Sequence, residues 1–302
     1  MPAITVDDVT VLPRVGAANA APREVMSIST APRGFEGEGF PVRRAFAGVP
    51  LELLDPFIHM DQMGEVDYAA GEPKGTAWHP HRGFETVTYV LDGQMEHRDS
   101  MGNHGILNPG DTQWMTAAAG VLHKEGPSAD MQRTGGTLHG LQLWVNLPAA
   151  EKMAQPAYQD LREAANARRE EPGATIRVIA GSLFGLDGPG RTRWPISYAH
   201  LTLDAGAEAT TALPDGHRVL VYPMTGSVAV NGTTTAEATL AVVDAASLTV
   251  TGGADRSEVI VLTGAPIGEP VARYGPFVMN TDDELRQAFR DFDAGRFGVP
   301  GD

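Results

Sequence analysis

The stretch Trp78-His79-Pro80-His81-Arg82-Gly83-Phe84-Glu85-Thr86-Val87-Thr88-Tyr89-Val90-Leu91-Asp92-Gly93 decides how the chain is read. It continues through Asn108-Pro109-Gly110-Asp111 and Gln113-Trp114-Met115 to His123-Lys124-Glu125. Residues 86–91 are β-branched, aromatic or aliphatic, and Asp92-Gly93 is a hairpin turn, so a strand runs into a tight reversal. In a strand, residues two apart face the same side. His79 and His81 therefore project together, with Cα atoms roughly 6.6 Å apart. Pro80 faces away and lacks an N–H, which suits the start or edge of a sheet. His123 and Glu125 repeat this spacing after the small-residue turn at 117–120. Two such pairs on facing strands would supply three imidazole nitrogens and one carboxylate to a single ion, leaving two octahedral positions open.

The metal set expected from the sequence is thus His79, His81, His123 and Glu125, with Glu125 also a candidate general base. A lone His-x-His is common without any metal; two pairs joined by turns and short strands are harder to attribute to chance. Glu85 shares the parity of His81 and is expected to stand behind the ligands. His97, just past the Asp92-Gly93 turn, is expected at a rim, and His104 in a loop. His59, His139, His200 and His217 read as core or surface residues.

Outward from this stretch, Gly (35) and Pro (22) are scattered among short apolar runs, the mark of many short strands. The absence of cysteine excludes thiolate metal sites, disulfides and a Cys nucleophile. Any metal must sit on His, Asp, Glu or backbone oxygen, which admits iron, manganese, nickel, copper or zinc. A formal net charge of −15 argues against direct nucleic-acid binding, which needs clustered Lys and Arg. The first residues lack a basic region followed by an apolar core, and no apolar run approaches membrane-spanning length, so the expected location is cytoplasmic. Nucleophile-elbow, phosphate-loop and dinucleotide motifs find no strand–turn–helix setting.

The chain also repeats itself weakly. Tyr89 falls on Tyr222, Gly93 on Gly226 and Asp111 on Asp244 when the two halves are laid over one another without gaps. In that alignment Ala212, Pro214 and Arg256 stand where His79, His81 and His123 are, while Glu258 stands at Glu125. Two barrels on one plan follow, the second metal-free. The expected division is a metal-binding barrel at 1–148, with a weak first strand at 4–12. A helical linker at 149–172 follows, rich in Ala, Glu, Lys and Arg. Next come a second barrel at 173–266 and a C-terminal segment at 267–302. That last segment ends in a helix capped by Thr281, with Leu285, Ala288, Phe289 and Phe292 on one stripe. Residues 51–60 read as a strand broken at Pro56, and 64–76 as a loop.

Five segments carry a resemblance to a known family. They are His79-Pro80-His81-Arg82-Gly83-Phe84-Glu85-Thr86-Val87; Asn108-Pro109-Gly110-Asp111-Thr112-Gln113-Trp114-Met115-Thr116-Ala117; His123-Lys124-Glu125; His139-Gly140-Leu141-Gln142-Leu143-Trp144-Val145-Asn146-Leu147-Pro148; and Gly275-Pro276-Phe277-Val278-Met279-Asn280-Thr281. The chain resembles the pirin family of the cupin superfamily. The resemblance implies an all-β fold of two tandem cupin (double-stranded β-helix) barrels with a C-terminal helix packing back on the first. It implies one divalent ion, Fe(II) foremost, on His79, His81, His123 and Glu125. Family members include quercetin 2,3-dioxygenases, which open a flavonol ring with molecular oxygen, so a small aromatic substrate is expected. Others are redox-sensitive regulators of transcription factors or metabolic enzymes, so a protein partner is the alternative. A monomer is expected, since the repeat already supplies two barrels.

Overall fold

The computed structural model describes residues 9–11 and 25–299. The first residues and most of the weak strand expected at 4–12 lie outside them; Val9–Val11 is a strand that pairs with Val25–Thr30. The fold is all-β: two units on one strand plan, each built mainly from one large and one four-stranded sheet, with a C-terminal helix at Asp282–Asp293. No helix among the described residues is long and apolar enough to cross a membrane.

Two compact units are present, and neither is continuous in sequence. One comprises Arg33–Arg43, Phe57–Ala164 and Ile267–Asp302; the other Met1–Pro32, Arg44–Pro56 and Ala165–Pro266. The expected boundaries need correction at two places. Val25–Thr30 hydrogen-bonds to Thr239–Val243, which would otherwise be an open edge, so the early chain completes the later sheet. The helical linker expected at 149–172 does not form as an α-helix. Ala157–Leu161 instead pairs with Thr112–Thr116, and Ala167–Glu171 forms a hairpin with Ala174–Ala180. Helix propensity lost to the ladder hydrogen bonds available at two sheet edges, and Pro172-Gly173 was the turn signal. Similarly, Leu51–Leu54 is a short helix and Phe57–Tyr68 one long strand, so the loop expected at 64–76 begins only after Tyr68.

In the unit holding the quoted stretch, one sheet runs Ala157–Leu161, Thr112–Thr116, Phe84–Asp92, Gly136–Asn146, Phe57–Tyr68, Phe40–Arg44, Arg33–Glu36. The other runs His79–His81, Val121–Pro127, Met95–Asp99, His104–Leu107. The C-terminal helix carries the expected capping box, with Thr281 accepting from the Glu284 N–H and Glu284 reaching back. Leu285 and Ala288 pack in a cluster with Leu122, Phe277, Met279 and Phe297.

The other unit has the same strand plan, and its pairing corrects the gapless repeat. Tyr89 and Tyr222 do correspond, each just before the hairpin. Beyond it the second copy has shorter connections: Thr239–Val243 is the counterpart of Thr112–Thr116, and Ser247–Gly252 of Val121–Pro127. By pairing position, His79, His81, His123 and Glu125 correspond to Thr211, Leu213, Leu248 and Val250 rather than to Ala212, Pro214, Arg256 and Glu258. Leu213, Leu248 and Val250 belong to that unit's apolar core. Glu258 lies on a different strand, bonded to His200 and Thr202.

Candidate metal centre

His79–His81 is a three-residue strand laid antiparallel on Val121–Pro127, with His79 directly opposite His123 and His81 opposite Val121. The rings converge: centroids are 4.2 Å apart for His79–His123 and 4.8 Å for His79–His81 and His81–His123. Ligand nitrogens of all three lie within 4.8 Å of one another.

Backbone carbonyls set two of the tautomers. His79 Nδ1 lies 2.8 Å from the Ala77 oxygen and His81 Nδ1 3.3 Å from the Pro276 oxygen. A carbonyl only accepts, so each Nδ1 carries the proton and each Nε2 keeps its lone pair for a metal. His123 is fully buried, and neither of its nitrogens has a hydrogen-bond partner. A buried imidazole with both nitrogens unsatisfied is costly in a folded protein, and a coordinated ion would remove that cost at one nitrogen. Burial, reinforced by the neighbouring imidazoles, holds His81 and His123 well below the ordinary histidine range. Both are therefore neutral at pH 7, the form that binds metal.

Glu125 shares a face with His123 but sits one step along, directly opposite His97. Its carboxylate groups with His97 and His123 within 4.8 Å, not with His79 and His81. Its Oε2 lies 3.2 Å from the Thr88 hydroxyl oxygen. So three of the four expected residues form one cluster and Glu125 borders it, sharing His123 between the two groups.

Glu85 is placed otherwise than expected. Gly83 adopts φ +89°, and a Cβ there would collide with the Val278 carbonyl. The chain turns at this glycine, so the parity of His81 is not carried into the next strand. Thr86 pairs with Trp144, which faces His81, whereas Glu85 pairs with Val145 on the opposite face. There Glu85 accepts from the Thr116 hydroxyl at 2.6 Å. Trp114, one of the residues quoted first, also faces away and is wholly buried.

Sequence reasoning placed His97 at a rim; it is fully buried inside. Its Nε2 faces Asp99 at 3.3 Å, its ring stacks on Tyr158, and it stands 5.4 Å from His123. Asp99 is pinned by the amides of Met101 and Asn103 and by the Asn103 side chain. Burial alone would raise the Asp99 carboxyl, but the bonds from His97 and Asn103 hold it below its usual range. The signal was available: Met95, His97 and Asp99 alternate with Glu96 and Arg98, and the buried set faces Glu125.

The remaining walls are aromatic. Trp144 contacts His81, His59 and Phe84, and Trp78 lies under the Lys124 ammonium. His79, Glu125, His59 and Trp144 keep partial exposure, so the site opens to solvent on that side.

Comparison with known proteins agrees with this architecture. The pirin profile matches residues 39–145, and that of the pirin C-terminal cupin domain residues 198–298. A Pseudomonas aeruginosa protein named "Putative quercetin 2,3-dioxygenase" is 42% identical, the match covering 91% of this chain and 98% of that protein. Human pirin is 39% identical over 85% of this chain and 88% of its own. The crystal structure of quercetin 2,3-dioxygenase from Acinetobacter baumannii superposes with a TM-score of 0.86 at 36% identity, covering 91% of this chain and 98% of that one.

Proposed function

The chain belongs to the pirin family, and we propose that it is a metal-dependent dioxygenase that opens quercetin-like flavonols at a mononuclear Fe(II) centre. The observation that carries this reading is the convergence of three imidazoles at the mouth of an aromatic-walled barrel, with a carboxylate beside them. The relatives named as quercetin 2,3-dioxygenases support the substrate class. A pirin of Escherichia coli, 23% identical with a TM-score of 0.61, was solved in complex with nickel(II), and manganese, copper or zinc suit the same donors.

A divalent ion on His79, His81 and His123 would act as a Lewis acid, lowering the pKa of a bound hydroxyl. The protein's own groups do the rest. Glu125 stands beside His123 to receive the hydroxyl proton on its carboxylate, with Oε2 3.2 Å from the Thr88 hydroxyl oxygen. Trp144 and Phe84 offer a face for a planar ring. The carbonyls of Ala77 and Pro276 keep His79 and His81 in their ligating tautomers. Both atoms of molecular oxygen enter the products, and one ring carbon leaves as carbon monoxide.

The test is anaerobic reconstitution with Fe(II), followed by oxygen and quercetin. Loss of flavonol absorbance with carbon monoxide release is the expected result. Absence of turnover with each of the five divalent metals would remove this substrate class.

A second reading, regulation of a protein partner through the metal, rests on the C-terminal segment. Pro276 bonds a candidate ligand, and two residues earlier Tyr274 is 70% exposed. Retention of one partner from cell extract by the wild type and not by His79→Ala would favour it.

A further inference from the structure

The wall facing the candidate ligands carries a row of polar side chains that barrel construction does not require. Gln113 is directly opposite both Asp160 and Thr88, Thr88 opposite Gln142, and Gln142 opposite Asp61. Directly paired residues share a face, so these five line up across five strands at roughly 4.8 Å per strand. The 3.2 Å approach of the Thr88 hydroxyl oxygen to Glu125 Oε2 shows that this face is the inner one.

The chain contains its own control. By pairing position the counterparts of Gln113, Thr88, Gln142 and Asp61 in the other unit are Ala241, Val221, Val261 and Ala199, and that of Asp160 is Ile28. The first four are buried in the apolar core there, and Ile28 packs against it. The same strands can thus close over hydrocarbon. In the metal-bearing unit they present an amide, a hydroxyl, a second amide and a carboxylate.

Part of this row is satisfied internally. Thr88 donates to Gln142 Oε1 at 2.6 Å, and Asp61 Oδ2 lies 3.2 Å from His59 Nε2. Gln113 is different. It is fully buried, and neither its amide nitrogen nor its amide oxygen has a hydrogen-bond partner. The Thr86 hydroxyl, diagonal to it on the same face, is likewise buried and without a partner. Leaving such groups unsatisfied is costly, so a site that keeps them is shaped for a molecule that pairs with them.

We propose that Gln113, with Thr86 and Gln142, forms a hydroxyl-recognising subsite. It selects a polyhydroxylated aromatic ligand whose remote hydroxyls lie along the row while another oxygen approaches the histidines. This rests on the metal-dependent flavonol reading and deepens it by assigning the residues that choose among flavonols. A Gln amide both donates and accepts, which matches a hydroxyl. A ligand without that hydroxyl would leave the amide buried and unpaired, the situation in which polar sites discriminate most strongly.

The experiment compares two probes on nickel(II)-loaded protein, with affinity read by fluorescence and calorimetry so that turnover is not needed. Quercetin carries several ring hydroxyls; 3-hydroxyflavone keeps only the hydroxy-keto pair that reaches a metal. Wild-type protein should bind quercetin about tenfold or more tighter than 3-hydroxyflavone. In Gln113→Met and, separately, Thr86→Val, quercetin affinity should fall to that of 3-hydroxyflavone, whose own affinity and the bound nickel stay unchanged. Gln113→Leu, also apolar but of a different shape, serves if the methionine variant fails to fold, and should lose the same preference. Equal binding of the two probes by the wild type, or a preference that survives all these substitutions, overturns the subsite alone. If wild-type protein binds neither probe, the flavonol reading fails and the subsite with it.

Discussion

At the scale of single residues, the site depends on which nitrogen of each imidazole is free. His97 holds no place among the three clustered histidines, yet it stands against His123 and opposite Glu125, tied to a pinned Asp99. Outer partners of this kind typically change metal affinity 10- to 100-fold. His97→Asn should therefore weaken metal binding by about 10-fold or more, measured by competition with a chromophoric chelator, while His123→Ala should abolish stoichiometric binding. Lys152 gives a second, independent expectation. Its ammonium is buried and donates to the oxygens of Gly83, Asn146 and Val278. Burial, partly offset by Glu269 and Glu284, lowers its pKa to about 8 from 10.5. The folded state then binds fewer protons than the unfolded chain between those values. The Lys152 contribution to stability should be flat below pH 8 and rise by roughly 3 kcal/mol towards pH 10.5 as the ammonium becomes neutral in both states. Denaturant titrations across that range should show a rise that disappears in Lys152→Met, a variant less stable at pH 7 because three buried oxygens lose their donor.

At the scale of elements, the strand that carries His79 and His81 is held by the end of the chain. Arg82 follows His81, and its carbonyl accepts from the Val278 N–H. Its guanidinium donates to Ala119 O at 2.6 Å and to Asp291 Oδ2 at 2.8 Å, and lies over the Phe297 ring. Asp291 is on the C-terminal helix, and Arg82 foremost holds its carboxyl below the usual range. Removing one partner of a buried pair costs about 3–5 kcal/mol, because the other charge stays buried alone. Asp291→Asn should therefore destabilise by an amount near the low end of that range and weaken metal binding through His81. The pH dependence has a definite sign. A depressed carboxyl stabilises above its unfolded pKa and loses that contribution as pH falls through the folded value, so the acid-side decline should be shallower in Asp291→Asn. Thermal melts from pH 7 to pH 3 check both points. The helix itself was legible from Thr281, Glu284 and its apolar stripe. Its bond to Arg82 was not, because more than two hundred positions separate the partners and nothing local marks them.

At the scale of the whole molecule, one strand plan is used for two interiors. The first is polar and faces a histidine cluster; the second is filled by Val, Leu and Ala. A ligand that binds only the folded state stabilises it by about 2.7 kcal/mol at 100 times its Kd. Addition of Ni(II) or Fe(II) should raise the melting temperature of the wild type reversibly, with EDTA restoring the original value and His79→Ala showing no rise. Calorimetry that resolves two transitions should place the whole rise in one of them, since among the described residues both candidate ligand groups lie in one unit.

The sequence by itself determined the strand-rich class, the exclusion of thiolate chemistry, the two His-x-(His/Glu) pairs and the capped final helix. Each of these rests on composition or on a period of two or 3.6, which neighbouring residues fix between themselves. Tertiary structure decided the rest. It showed that Glu125 leans towards His97, that Gly83 turns Glu85 to the other face, and that residues 157–161 and 167–171 are strands despite their helical composition. It also moved the repeat's counterparts from Arg256 and Glu258 to Leu248 and Val250. The physical reason is common to all four. Which face a strand residue occupies, and which edge a segment completes, depend on backbone hydrogen bonds to partners distant in sequence, and a single glycine or a shortened turn between them reverses the outcome.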